Sequence, residues 1–481
     1  MALLQSIPTR ANAAVEISSK PTQNVTCNSG VCSATAKKAV LNAADLDGML
    51  SSGDVTVSSG SLAQDIDIKA KLSWSTTSRL TLDAYRSIAF EKPVTVLSNG
   101  GLTIVTNDGS TNGDFTFMGK GRVEFKDTTS SLMINGQAYF LFSSLKMFKQ
   151  YTHNPGGYIA LAKNINLSRH DLTKAPVENL DGVLEGLGNT ISGLTIDDTH
   201  NGDFVGLIGD FGGTAPQDII RDIGLTSVNI HATGGCVGTL AGAMDNGIIT
   251  HAYVTGSIAL TNEDGINAGG LVCGNAGSIS QTHAAVTITV SGVAGGAVGG
   301  LVGLNQGACF QSTCLGTIDE SYSTGAITGV NGTMAGGLVG ENTGGAISNS
   351  YATGAVGSGS NGFAGGLIGS NENNVDERTD PVLSDVYSTG AVTGGTGSTI
   401  GGLVGQDIAD PGITDAYWDL DTSGIANPAQ GAGNVANDPG ITGLSTTQFQ
   451  SGLPAGFKQS IWKQNGAING GYPYLSDLPP N

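Results

Sequence analysis

The chain has 481 residues and a formal net charge of −19, with 75 glycines, 13% charged residues and 39% hydrophobic ones. Glycine at about twice its usual share of roughly 7% without a Gly-X-Y period excludes collagen, and the apolar content excludes a disordered polar chain. No Lys or Arg lies between Arg221 and Arg378, which argues against nucleic acid or anionic lipid as partner, and no apolar run approaches the roughly 20 residues that span a bilayer.

Residues 1–38 read as an irregular leader. The start ends in an Ala-x-Ala-like site at Ala11 to Ala13 but has no basic n-region, so it is poor as a signal peptide. The expectation is a start further upstream, a fragment or a degraded copy of an exported protein. Asn24 to Cys32 is the leader's one ordered candidate. Of six cysteines, Cys27/Cys32 and Cys309/Cys314 form Cys-x4-Cys pairs, and Cys236 and Cys273 stand apart. Three readings stay open: small buried side chains, disulfides in an oxidising compartment, and zinc. Zinc pairs are usually spaced more tightly and no His lies close to either pair. Cys309 and Cys314, inside a repeat insertion, are the stronger disulfide candidates.

Residues 39–137 form a first β segment. Leu80-Thr-Leu82, Val94-Thr-Val96, Leu102-Thr-Ile-Val105, Phe115-Thr-Phe117, Val123-Glu-Phe125 and Leu132-Met-Ile134 alternate apolar and polar residues. Ser98 to Gly101 and Asn107 to Asp114 supply turns between them. The run from Asp65 to Ile88 resembles the passenger of filamentous haemagglutinin-like exoproteins of Gram-negative bacteria. That resemblance implies a parallel β-helix, and with it an outer-membrane transporter as export partner.

Residues 138–200 combine one helix with further rungs. Phe142 to Tyr151 is the helix, with Leu145 and Phe148 on one stripe and Asn154-Pro-Gly-Gly157 stopping it. A stripe this short suits a cap on the core better than a partner-binding face. In Leu184 to Ile196, the side chains of Leu187, Ile191, Leu194 and Ile196 are expected to point inward.

Residues 201–424 are an internal repeat. The leucine of a Gly-Gly-Leu-Val-Gly core recurs at Leu271, Leu301, Leu338, Leu367 and Leu403, with a degenerate copy at Leu240, in steps of 31, 30, 37, 29 and 36 residues. Such a period marks an architecture in which each unit buries its apolar face against its neighbours. Each copy leads to a second landmark: Tyr253, His283, Tyr322, Tyr351, Tyr387 or Tyr417. The motif resembles the GLUG repeat found in surface adhesins and also on surface proteases. Within a copy, Leu338-Val339 and Ile347 read as inward, Tyr351 as capping the unit, and Gly336-Gly337 as a corner needing positive φ or close backbone approach. Four residues after the leucines stand Asn275, Asn305, Asn342 and Asn371, then Asp407. They are expected to adopt the left-handed turn conformation and to stack as an amide ladder.

Two copies carry insertions. Leu301 to Tyr322 spans 21 residues and Leu367 to Tyr387 spans 20, against 12 to 14 elsewhere. Insertions in repeat proteins map to loops on one face, often the binding face. The candidate contact residues are thus Cys309, Phe310 and Cys314, and Asn373, Asp376, Glu377, Arg378 and Asp380.

Residues 425–481 are expected to cap the open end of the array with Trp418, Phe449, Phe457, Trp462, Tyr472 and Tyr474. Asp419-x-Asp421-x-Ser423-Gly424 imitates the opening of a calcium loop, but its twelfth position is Gln430, and no metal is assigned. No metalloprotease, serine-hydrolase elbow or phosphate-loop motif occurs. The repeats offer Asp319, Glu320, Glu341, Asp376, Glu377, Asp380 and Asp385 as carboxylates with almost no cations, whereas a lyase needs both. Lysine and arginine cluster only earlier, around Lys120 to Lys126 and Arg169 to Lys174.

These features predict an all-β, right-handed parallel β-helix with one short internal helix and an aromatic C-terminal cap. The expected role is an extracellular or outer-membrane-surface adhesin, a rigid rod without catalytic residues or cofactor that displays loops to cell-surface glycans or proteins. The same haemagglutinin-like resemblance leaves a haem- or haemopexin-binding protein as a second reading, with His153, His170 and His200 as its candidates. A polysaccharide lyase or hydrolase is the third.

Overall fold

The computed structural model describes residues 13–110, 112–151, 156–199, 203–213, 218–262, 267–292, 295–307, 309–310, 313–314, 316–374, 380–409 and 412–480. The chain is all-β, and nearly all strand pairs are parallel. In the first unit the strands stack three to a rung. Asp65–Ile68, Leu72–Trp74 and Arg79–Asp83 pair in register with Ile88–Phe90, Pro93–Val96 and Gly101–Val105. These pair in turn with Phe115–Phe117, Arg122–Phe125 and Ser131–Ile134. Alternation sends Leu80, Leu82, Leu102, Ile104, Leu132 and Ile134 inward, each at most 5% exposed.

The leader is not irregular where it is described. Ala14–Ser18 lies between Lys38–Asn42 and Asp65–Ile68, with Val15 and Ile17 buried. Two inward positions give too little periodicity to read, and the strand is stacked out of chain order. Gln23 exchanges two 2.8 Å backbone hydrogen bonds with Val40, covering that strand's other side. Cys27 and Cys32 form a disulfide across the hairpin of Val25–Asn28 and Val31–Ala34.

Instead of one helix there are four among the described residues: α1 (Ala43–Leu50), α2 (Gly60–Ala63), α3 (Leu145–Tyr151) and α4 (Thr446–Ser451). In α1, Asn42 caps the N-terminus by accepting from the backbone N–H groups of Ala44 and Asp45, while Leu46 and Leu50 are buried. Within β-rich surroundings its eight residues carry too few apolar positions to announce it. In the segment expected as helix, Phe142 belongs to the preceding strand, and its ring stacks on Phe148 of α3 at 4.7 Å.

The described residues form two main hydrophobic cores and one smaller cluster. One runs from Val15 to Ile134 and takes in Leu141, Ala160, Ala162 and Leu187; the other runs from Phe142 to Ala432. Between them the chain reverses, Ser131–Ile134 pairing antiparallel with Gln137–Phe142. Leu145 and Phe148 of α3 belong to the start of the second core. Arg221 ties the units together. It contacts Asp114 at 3.0 Å and Asp222 at 2.6 Å, donates to the Phe115 carbonyl at 3.1 Å and lies 4.3 Å over the Phe115 ring. Glu185, fully buried, lies 3.5 Å from the same guanidinium.

The repeats bring Phe204–Val205, Cys236–Gly238, Asn267–Gly269, Ala297–Gly299, Met334–Gly336, Phe363–Gly365 and Thr399–Gly401 into one seven-stranded sheet. The first strand belongs to a copy centred on Leu207, which the sequence reading missed because its glycine pair has become Val205-Gly206. The motif leucines are fully buried, and the N–H groups of Leu240, Leu271, Leu301, Leu338 and Leu367 each donate to the carbonyl of the next motif leucine at 2.8–2.9 Å. Of the two reasons weighed for the glycine pairs, close approach applies. A Cβ on Gly336 would lie 1.8 Å from the Val339 carbonyl oxygen, and neither Gly336 nor Gly337 has positive φ.

The left-handed corners fall elsewhere than expected. One column of them runs through Asp222, His251, Gln281, Glu320, Asn349, Asp385 and Asp415, two residues before Gly224 and each ring landmark, and Ser227, Asn246 and Asn361 are left-handed outside it. Asn275, Asn305, Asn342 and Asn371 are not left-handed but lie in strands with their amides inside the core, so turn strain is not what places them.

The aromatic C-terminal segment also lies elsewhere. Phe449, Phe457 and Trp462 pack with Tyr322, Tyr351, Tyr387 and Tyr417 in a cluster separate from both cores. Trp462 is 6.0 Å from Tyr351 and 5.8 Å from Tyr387, so the segment runs along the flank of successive repeats rather than across their end. At the end itself, Trp418, Ile425 and Ala432 complete the second core.

Candidate functional site: the insertion corner

Successive repeats build two columns beside the insertion corner, the amide column starting at Asn275 because Met244 holds that place in the copy before it. Inside the core, the Nδ2 of Asn275 donates to Asn305, Asn305 to Asn342, Asn342 to Asn371 and Asn371 to Asp407, at 2.7, 2.8, 2.9 and 3.1 Å. The column closes on Asn434, which exchanges two hydrogen bonds with the Asp407 backbone. On the flank, the rings of Tyr253, His283, Tyr322, Tyr351 and Tyr387 stack at 5.4, 4.8, 4.7 and 4.9 Å with interplanar angles of 3° to 11°. Tyr417 leaves this stack and meets Phe457 edge-on at 5.8 Å.

Both insertions emerge next to the amide column. Gln306, Thr343 and Glu372 are in register on successive rungs. From Thr343 the chain turns at once through Gly344-Gly345 into Ala346–Ser348, whereas from Gln306 and from Glu372 it makes its excursions. The two insertions therefore share one corner and lie two rungs apart, about 10 Å at the usual strand spacing. In the first, Cys309–Phe310 and Thr313–Cys314 pair antiparallel, Cys309 opposite Cys314. The side chains of Cys309, Phe310 and Cys314 lie outside the described residues, as do Asp376, Glu377 and Arg378. In the second, Asn373 is half-buried and Asp380 exposed.

Between the excursions the outward face carries Glu341 and Glu372. The Thr343 hydroxyl donates to Glu341 at 3.2 Å and the Ser370 hydroxyl to Glu372 at 2.8 Å. Burial, then the Glu372 charge, pushes the Glu341 carboxyl up. From residue 222 to 457 the one Lys or Arg is Arg378, in the second excursion itself, so these carboxylates lie in a stretch poor in cations.

The remaining candidates have structural partners. Asp319 accepts hydrogen bonds from Ser348 and Asn349 of the next rung. Asp419, fully buried, accepts from the N–H groups of Asp421 and Thr422 and from the hydroxyls of Thr446 and Tyr472. Arg122 and Lys126 both bond Glu124, whose pKa is lowered although burial opposes the two cations. Lys174 pairs with Glu178. His170 is exposed, and His153 and His200 lie outside the described residues. The disulfide that the sequence reading did not single out joins Cys236 to Cys273 in adjacent repeats. Its signal was available, since Cys273 occupies the place that Gly303, Gly340, Gly369 and Gly405 hold in later copies. Among the described residues no helix is long and apolar enough to cross a membrane.

The family model for the GLUG motif matches residues 331–357. Comparison with curated proteins finds no match. Among solved structures, the chain is similar to a protein of Bacteroides ovatus provisionally described as an immunoglobulin A1 protease. The two share 16% identity over 71% of this chain and 93% of that one, with a TM-score of 0.41.

Proposed function

We propose that the protein is a right-handed parallel β-helix that acts outside the cell as an adhesin-like display rod, with the insertion corner as its contact surface. The observation that carries this reading is that both excursions leave one corner of otherwise uninterrupted columns, so the scaffold changes only where loops are presented. Two disulfides favour an oxidising, extracellular setting. The partners suited to this role are cell-surface glycans or proteins, and the haemagglutinin-like resemblance adds an outer-membrane transporter as export partner. Replacing residues 308–314 with a Gly-Gly turn like Gly344-Gly345, and separately deleting 373–380, tests the assignment on glycan arrays and cultured cells. Loss of binding with unchanged circular dichroism supports it; full binding by both variants overturns it.

A further inference from the structure

The residues that follow the amide column form an outward column of their own along the insertion corner. Asn305, Asn342, Asn371 and Asp407 are in register, so their successors Gln306, Thr343, Glu372 and Ile408 follow one another rung by rung. Beyond them Asn434 exchanges bonds of 2.7 and 2.6 Å with the Asp407 backbone, which brings Val435, the next residue, to the same corner. The column is polar at its start, acidic at Glu372 and apolar at its end, where Ile408 is 54% and Val435 37% exposed. On the other side of the corner the chain re-enters the sheet at Ala346 and Val382, which are in register, and Val382 is 50% exposed.

Single exposed hydrophobic side chains need no explanation. Among the described residues beyond Ile248, however, Val382, Ile408 and Val435 are the exposed large ones, and all three stand at this corner. Beside them lie carboxylates. Glu341 and Glu372 are half-buried, accept from the Thr343 and Ser370 hydroxyls and are paired with no cation among the described residues. Asp380, two residues before Val382, is exposed.

We propose that the insertion corner takes a basic protein segment with large apolar side chains, its cations facing Glu341, Glu372 and Asp380 and its apolar groups covering Val382, Ile408 and Val435.

This inference rests on the corner being the contact surface, and it narrows the kind of partner. The carboxylates repel an acidic glycan, a nucleic acid or an anionic membrane. A neutral glycan meets aliphatic branches here and, among the described residues of the corner, no aromatic ring to stack on. A segment that carries both lysine or arginine and leucine-like side chains matches both halves of the surface.

The test is fluorescence anisotropy of the full-length chain with two labelled peptides of equal charge, one of lysine and leucine and one of lysine and serine, at physiological salt. The wild type is expected to bind the lysine–leucine peptide about ten-fold or more tighter. Ile408→Ser/Val435→Ser, which changes outward side chains alone, should bring the two affinities to within about two-fold. Glu341→Gln/Glu372→Gln should weaken both peptides about three-fold or more and flatten their salt dependence. Equal affinity of the wild type for the two peptides overturns the proposal, as does a preference that survives Ile408→Ser/Val435→Ser or binding untouched by Glu341→Gln/Glu372→Gln. On cultured cells, loss of binding by the two excursion variants with full binding by both double variants overturns this inference alone. Full binding by the excursion variants overturns the display reading beneath it.

Discussion

Asn305 donates from Nδ2 to the Oδ1 of Asn342 at 2.8 Å across two repeats, and Asn342 passes the same bond on to Asn371. Asn342 is fully buried. Asn342→Ala would therefore strand a donor on one side and an acceptor on the other with no water to replace it. The expected cost is about 2–4 kcal/mol, read as a lower urea midpoint. An unchanged midpoint would mean that the ladder is incidental to stability.

Arg221 is the second point of attack. Burial and Asp222 push the Glu185 carboxyl well up, and the guanidinium opposes this. Arg221→Met leaves Glu185 and Asp222 without their cation and cuts the link to Asp114 and Phe115. A loss of about 3–5 kcal/mol is expected, with one thermal transition separating into two as the cores uncouple. Calorimetry checks this, and a single unshifted transition would contradict it.

His283 stands in a tyrosine's place, with its Nδ1 buried and without a hydrogen-bond partner among the described residues. Burial lowers its pKa to about 4 from 6.5, so its contribution is complete above 6.5 and is lost as pH falls toward 4. His283→Tyr should extend the run of stacked tyrosines and remove about 1–2 kcal/mol of acid sensitivity in that window. Urea titrations at pH 4 and 7 compare the two proteins.

The Cys236–Cys273 disulfide closes a loop across one repeat. Replacing Cys273 with the glycine of the later copies, together with Cys236→Ala, should cost about 3 kcal/mol through the freer unfolded chain. Reductant should lower the wild-type melting temperature more than that of the variant, which retains Cys27–Cys32.

The period, the inward leucines and the recurrence of asparagine were legible because each repeats at a fixed distance, and stacking converts a fixed distance into contact. What was not legible depends on contacts without a period. Ala14–Ser18 enters its sheet out of chain order, and α1 is settled by the Asn42 cap and two buried leucines. The aromatic content of the C-terminus was plain, but its destination was not. Trp462 packs on Tyr351, 111 residues earlier, and no local pattern specifies that. The insertion corner was legible as two lengthened spacings. That both excursions leave from registered positions appears only when Gln306 and Glu372 are seen on either side of Thr343.

The aromatic C-terminal segment on the tyrosine flank bears on length. The columns alone would tolerate loss of a whole repeat: without residues 338–366, Leu301 would simply meet Leu367 and Asn305 would meet Asn371. The C-terminal segment would accept this too, because Tyr322 would move into the place of Tyr351 beside Trp462 while Asn469 keeps its bond to the Tyr387 hydroxyl. It clasps the last repeats whatever number precedes them, and so leaves the length of the array free to vary ahead of it.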